Sequence, residues 1–562
     1  MMATSPSGKA RVCKTLTVGS IPTVASQRGS SEQAPAFCWR RQMTGPDAAD
    51  TGVRRQERDR LAARLAAVVA LLLVLAALRV HNLAAQDPFI DEGAHVQRAR
   101  AVWSFEQNPG RFSNGKVLLY FWLGVFELPP ISALWIARAA IALLALPSGA
   151  AVYALGRKMG GEPAGLAALG IYAVLPLALF FERMALADPL AGMFMTLTAW
   201  HSLAFARHPS ARQAMLVGGL VAGATLAKLT MGLAPLIPAA ATLLYDPLPV
   251  SGWRARLDAW RTRHARGLAL AAGVVVGCWL PLVLPAAMAY VRGDTFTLVN
   301  AANMADVRNP ALLAELRAIV PALIHYTSGA LPLAAAAGLG ALARRPQRSS
   351  KARAHLLYLL IWLAASVLLP LLASRNLRTR YFMPAAAPLS IAAGCGVAAL
   401  WHTRRRAARL AVVAAVLAWV GGFALPIAVT TVTAPQDLAL PPADAAVYLG
   451  GNFAGDAFRE IAVLLDTLDP PAGRILADAP TCDALYFFTS RPVTCAADIA
   501  NPRELLDAPV SYVVLNGHES QPDRLGLVWE LVAEFERPAL ERLAGVTRTA
   551  SLWRVRTAPA EP

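Results

Sequence analysis

The chain has 562 residues, 56% of them hydrophobic and 16% charged, against about 25% charged in an ordinary soluble domain. That deficit and a mean hydropathy of +0.44 exclude a disordered, fibrous or typical soluble globular protein. The net charge of +17 would suggest nucleic acid on a soluble chain; on a chain of apolar segments it suggests biased loops instead, and no nucleic-acid partner is expected.

Residues 1–60 hold ten Lys/Arg against five Asp/Glu, with Ser, Gly and Pro scattered among them. They read as a disordered, basic cytoplasmic tail. No long apolar core interrupts them, so no cleavable signal peptide is expected, and Met43 is a second candidate start. Segments of membrane-spanning length follow at 61–80, 131–155, 163–181, 189–206, 213–227, 229–245, 267–289, 321–343, 355–373, 382–400 and 408–430. The run 117–128 is too short, ends at Pro129-Pro130 and reads as an interfacial or re-entrant piece.

Eleven spans with the N-terminus inside put eighteen positive charges on the inner loops against three acids, Glu162, Asp246 and Asp258. That is the positive-inside pattern. The loop 81–130, the turn 182–188, the loop 290–320, the segment 374–381 and the C-terminal part then share the outer side. Residues 431–562 hold ten basic and eighteen acidic residues. Short apolar runs at Arg474–Ala477, Tyr512–Leu515 and Ser551–Val555 read as strands, and 456–468 and 526–536 as helices. The expected fold is therefore a mostly α polytopic transmembrane bundle over 61–430, with a small extracytoplasmic α/β domain at 431–562. Cys482 and Cys495 lie in that domain with twelve residues between them. A disulfide and two unpaired buried thiols are both open, the first favoured in an oxidising compartment.

The polar residues with no evident structural reason concentrate on the outer side. Asp91 and Glu92 open a helix expected over 94–106, as a cap and a first-turn acid or as a general base. Glu92 and His95, three apart, can share one ion, which leaves a divalent metal open. Asn114-Gly115-Lys116 offers a lysine beside a turn at the membrane surface, suited to a phosphate or to anchoring. The turn Glu182–Pro189 brings Arg183 and Asp188 to the same face. Lys228 interrupts an apolar stretch and needs a partner. Arg375, Arg378 and Arg380, followed by Tyr381, run against the inside-positive trend; phosphate binding explains them, as does anchoring to lipid.

Five segments in order carry a resemblance: Asp91-Glu92, Asn114-Gly115-Lys116 before LLYFWL, ERMALADPL, AKLTMGLAPL and RTRYFMPAAAPL. Over residues 61–400 they resemble the GT-C class of membrane glycosyltransferases, in the branch of protein O-mannosyltransferases and the lipid A aminoarabinose transferase. Val117 and Leu118 stand where that family often has two prolines, and Leu229-Thr230 where it has a glycine. The resemblance implies an inner-membrane, multi-pass enzyme. It would move a sugar, with inversion, from a polyprenyl-phosphate donor to an extracytoplasmic lipid, glycan or protein. It implies Asp91 as base or acceptor-orienting group, supported by Glu92, with Asp188 as a second carboxylate. Lys116, Arg378, Arg380 and Tyr381 would hold the donor phosphate, with Arg183, Lys228 and Asn114 as further site residues. No cofactor is required, because basic side chains can take the leaving-group charge. A transporter or flippase of a lipid-linked sugar is the alternative; it needs the spans and outer cations but not the paired carboxylates. A non-catalytic scaffold with an outer binding domain is a third reading.

Overall fold

The computed structural model describes residues 48–106, 108–246, 252–293, 312–344, 350–373, 377–402, 406–450, 453–455, 457–468, 474–495, 510–516, 528–536 and 549–556. The tail over 1–47 and Arg375 lie outside them. The chain divides into residues 1–61 and residues 62–562. Of the first unit, 48–61 are the start of helix α1.

In chain order the helices are α1 (Ala48–Val80), α2 (Ile90–Val102), α3 (Pro109–Phe112), α4 (Val117–Leu123), α5 (Ala133–Ala142) and α6 (Ala145–Gly160). Then come α7 (Glu162–Val174), α8 (Pro176–Glu182), α9 (Ala187–Arg207), α10 (Ala211–Ala227), α11 (Leu236–Tyr245) and α12 (Trp253–Val291). After these follow α13 (Leu312–Thr327), α14 (Ala330–Ala343), α15 (Ser350–Ala373), α16 (Ala386–Trp401), α17 (Arg406–Trp419) and α18 (Leu425–Thr433). Tight 3-10 turns at Leu229–Met231 and Thr379–Ala385 precede α11 and α16.

All eleven expected segments are helical. Among the described residues, six helices are long and apolar enough to cross a membrane, and eight if each bent pair counts as one span. The bends have local causes. Pro176 holds Leu175 extended and breaks α7 from α8 by 54°. Ser328 and Gly329 take positive φ and turn α13 from α14 by 83°. Lys228 ends α10 in an extended conformation, which is why 213–227 and 229–245 stay short.

The C-terminal part holds α19 (Pro442–Tyr448), α20 (Phe458–Thr467), β1 (Arg474–Ala477), α21 (Ala479–Leu485), β2 (Val493–Cys495), β3 (Val510–Asn516), β4 (Val528–Glu536) and β5 (Thr549–Arg556). The strands form one mixed sheet in the order β2-β1-β3-β5-β4. β1 is parallel to β2 and β3; β5 is antiparallel to β3 and β4. Ile461 and Leu465 of α20 pack on Ile475, Tyr512, Val514 and Leu552 as a core of their own. Leu438, Val447 and Tyr448 instead join the core of the helical part.

Two elements differ from expectation. The segment 526–536, read as a helix, is strand β4. Val528, Leu531, Val532 and Phe535 have helical spacing, but the register shifts between Leu531 and Ala533. A bulge there changes the phase of the two-residue alternation, so a strand imitates a helical pattern. The helix expected over 94–106 begins at Ile90, with Phe89 as its cap residue, so Asp91 is inside the first turn and is not the cap.

The sheet domain is stitched to the loop after α1. Ile90 donates its N–H to the Phe453 carbonyl at 2.9 Å, and Gly455 donates to Pro88 at 2.8 Å. The Tyr486 hydroxyl donates to the Leu128 carbonyl at 2.8 Å. Cys482 and Cys495 form a disulfide that joins α21 to β2. The α21 backbone lies so close to α2 that a Cβ on Gly93 would stand 2.5 Å from the Asp483 carbonyl.

Candidate active site

Asp91 projects from the first turn of α2. Arg380, on the turn before α16, donates to it at 2.8 Å. The Arg380 Nε stands 4.0 Å from Asp188, in the first turn of α9. Asp188 in turn binds Lys228, whose ammonium lies 3.8 Å from the centre of the Tyr381 ring. Asp91, Arg380, Asp188, Lys228 and Tyr381 therefore form one connected group, drawn from four separate elements. Each interrupts or begins an apolar helix, where backbone breaks leave room for a polar side chain.

Lys116 joins this group through the turn before α4. Asn114 and Gly115 both have positive φ, and the Lys116 N–H closes the turn on the Ser113 carbonyl at 2.9 Å. Gly115 packs on Leu229, where a Cβ would stand 2.6 Å from Cδ1, so the Lys116 turn is set against the Lys228 break. Asn114 itself is exposed.

His95 aims Lys116. Its Nδ1 contacts the Ala185 carbonyl at 2.8 Å. A carbonyl only accepts, so Nδ1 carries the proton and Nε2 accepts from the Lys116 ammonium at 3.2 Å. Burial, and then the Lys116 charge, holds the His95 imidazole well below its usual range. Burial pulls Lys116 down from the usual 10.5, against the opposing pull of Asp91. For Asp91 burial favours the protonated acid, but Arg380 and Lys116 outweigh it and hold the carboxyl well below the usual range. Asp91 keeps 32% of its side chain exposed, which leaves room for a substrate to reach it.

The remaining sequence candidates are engaged elsewhere. Glu92 is fully buried. Arg138 binds both its oxygens, at 2.8 and 2.6 Å. The Phe89 and Ala185 amides also donate to it, at 2.9 and 2.8 Å. With both oxygens occupied, Glu92 fixes the chain around the site and offers no lone pair to a substrate. The same saturation, together with the two contacts of His95, leaves the Glu92–His95 pair unsuited to a metal. Among the described residues, the group of metal-ligand side chains close enough for one ion is Cys482, Asp483 and Cys495. Its two sulfurs are joined as the disulfide.

Arg183 donates to the carbonyls of Leu78, Arg79, His81 and Asn82, so it caps the C-terminal end of α1, where a cation suits the helix dipole. Arg378 is half-buried at the start of the Thr379–Ala385 turn. Its charge acts on Asp444.

Sequence reasoning missed Arg79, Arg138 and Tyr448. Arg79 pairs with Glu182 at 2.9 Å and donates to the carbonyls of Tyr172 and Ala173. Pro176 has no N–H to give the Tyr172 carbonyl, and Arg79 supplies it. A signal was present for both arginines, since each lies in or at the end of an apolar run. Tyr448, buried against Phe89, Phe180 and Phe181, had none.

A multi-pass helical bundle with a buried, mixed-charge cluster at its broken helices defines the class. Within it, residues 118–279 match the family described as dolichyl-phosphate-mannose-protein mannosyltransferase. The fold is similar to that of ArnT from Cupriavidus metallidurans bound to undecaprenyl phosphate, with a TM-score of 0.54 and 16% identity over 89% of this chain and 99% of that one. The apo state of that protein gives 0.50 and 14%, over 90% and 100%. The archaeal oligosaccharyltransferase AglB from Archaeoglobus fulgidus, in complex with an inhibitory peptide and a dolichol-phosphate, gives 0.50 and 13%, over 81% and 69%. No curated protein matches the chain. The resemblance to GT-C membrane glycosyltransferases is thus borne out by the family match and the shared fold, and the chain is a multi-pass membrane protein.

Proposed function

We propose that the chain is an integral-membrane glycosyltransferase that moves a sugar from a polyprenyl monophosphate to an extracytoplasmic acceptor, inverting the anomeric carbon. One observation carries this reading. The buried group holds three cations, Lys116, Lys228 and Arg380, against two carboxylates, Asp91 and Asp188. One positive charge is left over, and a phosphodiester supplies the single negative charge that balances it. Two buried Arg380 nitrogens, Nε and Nη1, have no hydrogen-bond partner, and buried donors without partners are costly. A phosphate oxygen satisfies them.

The surroundings suit a lipid. Phe382, two residues after Arg380, lines an apolar cavity of about 320 Å³ with Leu177, Ile319, Leu323 and Leu389. The first isoprene units fit such a cavity, with the phosphate at Arg380.

The chemistry follows from the geometry. The acceptor hydroxyl attacks the anomeric carbon from the side opposite the phosphate. A carbon–oxygen bond forms there, and the bond to the phosphate oxygen breaks. Asp91 accepts a hydrogen bond from the acceptor hydroxyl, orients it and takes up its proton as the new bond forms. Its depressed pKa makes it a weak base while Arg380 holds it; as the phosphate engages Arg380, that hold is shared and Asp91 gains basicity. The lipid phosphate leaves with a second negative charge, which Lys116, Arg380 and Lys228 stabilise. Asp188 holds Lys228 and Arg380 in place, and Tyr381 supports both cations through its ring. The side chains supply the leaving-group stabilisation, so no cofactor is needed. The cytoplasmic N-terminus and outer C-terminal domain draw support from the loop charges and from the disulfide, which suits an oxidising compartment.

The test is incubation of the purified protein with a panel of polyprenyl-phosphate sugars, following release of the lipid phosphate. Turnover with one donor and its loss in D91N support the reading. Undiminished transfer by D91N would remove Asp91 from the chemistry.

A further inference from the structure

The residue that the reaction site has not yet used is Tyr448. It ends α19, the helix of about two turns that follows the last membrane helix. It is 1% exposed, and its hydroxyl has no hydrogen-bond partner. A buried phenol normally finds one.

Its position is not accidental to the site. The Tyr448 ring meets Phe89 edge-on at 5.0 Å between centroids. The Arg380 guanidinium sits over the same Phe89 ring at 5.1 Å. Phe89 is the cap residue of α2, two positions before Asp91. Tyr448 and Arg380 therefore flank one ring at the mouth of the charged group. The charges of Arg380, Asp444, Asp188 and Asp91 all act on the Tyr448 hydroxyl. The Tyr448 hydroxyl and Arg380 Nη1 are both without a hydrogen-bond partner and stand against the same Phe89 ring. No hydrogen bond joins them, and an anion with several acceptor oxygens satisfies both.

We infer that the Tyr448 hydroxyl donates a hydrogen bond to the lipid phosphate that Arg380 holds, so that the segment after the last membrane helix completes the donor site. This rests on the lipid-phosphate reading above. A hydroxyl that serves only the fold would have a protein partner, and this one has none.

The experiment compares wild type and Y448F, each as the full chain in nanodiscs, for binding of farnesyl phosphate and of farnesol. Thermal unfolding is followed in parallel. The expected result is that wild type prefers the phosphate to the alcohol. Y448F should lose about tenfold or more in phosphate affinity, the scale of a hydrogen bond to a charged group. Its farnesol affinity should not change, and its unfolding temperature should hold or rise, because an unpaired buried hydroxyl has been removed. Equal phosphate affinity in the two proteins would overturn the Tyr448 assignment and leave the phosphate reading intact. A lowered unfolding temperature in Y448F would assign the hydroxyl to the fold and overturn it as well. Failure of wild type to distinguish phosphate from alcohol would overturn both.

Discussion

Glu92 has both oxygens taken by Arg138 and two backbone amides, while Asp91 beside it keeps a third of its side chain exposed and binds Arg380. Neighbours in sequence thus differ, Glu92 saturated within the protein and Asp91 left partly open. E92Q breaks a fully buried pair and is expected to destabilise by about 3–5 kcal/mol, read as a fall in unfolding temperature. D91N gives up a partly exposed ion pair, so it should lower the unfolding temperature less than E92Q does and lower transfer by roughly 10²–10⁴-fold. The reverse pattern in the two variants would exchange their roles. Lys116 sets the pH dependence. Burial lowers it from 10.5, so its charge is lost as pH rises through a value below 10.5. A decline in kcat/KM with a midpoint below 10.5 is expected, and K116R, which keeps its proton, should remove it. Asp91 is held below the usual carboxylate range, so a pH profile of kcat/KM should show no loss between about pH 5 and 7 from its protonation. A limb in that window that disappears in D91N would contradict this.

At the scale of elements, the sequence was legible where a physical constraint repeats. Span length and apolarity marked eleven segments that are helical, and the order of motifs marked Asp91, Lys116, Asp188, Lys228 and Arg380. It was not legible where a partner is remote. Arg183 looks like an outer phosphate ligand until the carbonyls at the end of α1, about a hundred residues away, take its donors. Tyr448 lies in an unremarkable run before Leu449, and only packing against Phe89 reveals it. Strand β4 was misread because its bulge copies helical spacing. The contact of α2 with α21 is the element-scale claim most open to test. A methyl on Gly93 meets the Asp483 backbone, so G93A is expected to cost about 1–3 kcal/mol and to slow turnover by shifting Asp91. Removing the Cys482–Cys495 disulfide, which braces α21, should lower the unfolding temperature, on the scale of about 2–4 kcal/mol. An unchanged melt in C482S/C495S would show that α21 is held without it.

For the whole molecule, the net charge of +17 is a sum of unlike parts. Residues 1–430 carry +25 and residues 431–562 carry −8. Most of the excess lies in the first sixty residues and in the loops assigned to the inner side, and the proposed orientation draws its support from that bias. A reporter active only outside the cytoplasm is expected to work when fused after residue 562 and to fail when inserted between α9 and α10, near Ser210. The few cations left for chemistry, Lys116, Lys228 and Arg380, meet two carboxylates beside an apolar cavity. The most direct measurement of that arrangement is lipid-phosphate release by the purified protein, with a polyprenyl-phosphate sugar and an acceptor supplied together from a panel. The account predicts release with at least one donor, matched one for one by glycosylated acceptor and abolished in R380A. No release from any donor by folded protein, or release that R380A leaves unchanged, would contradict it.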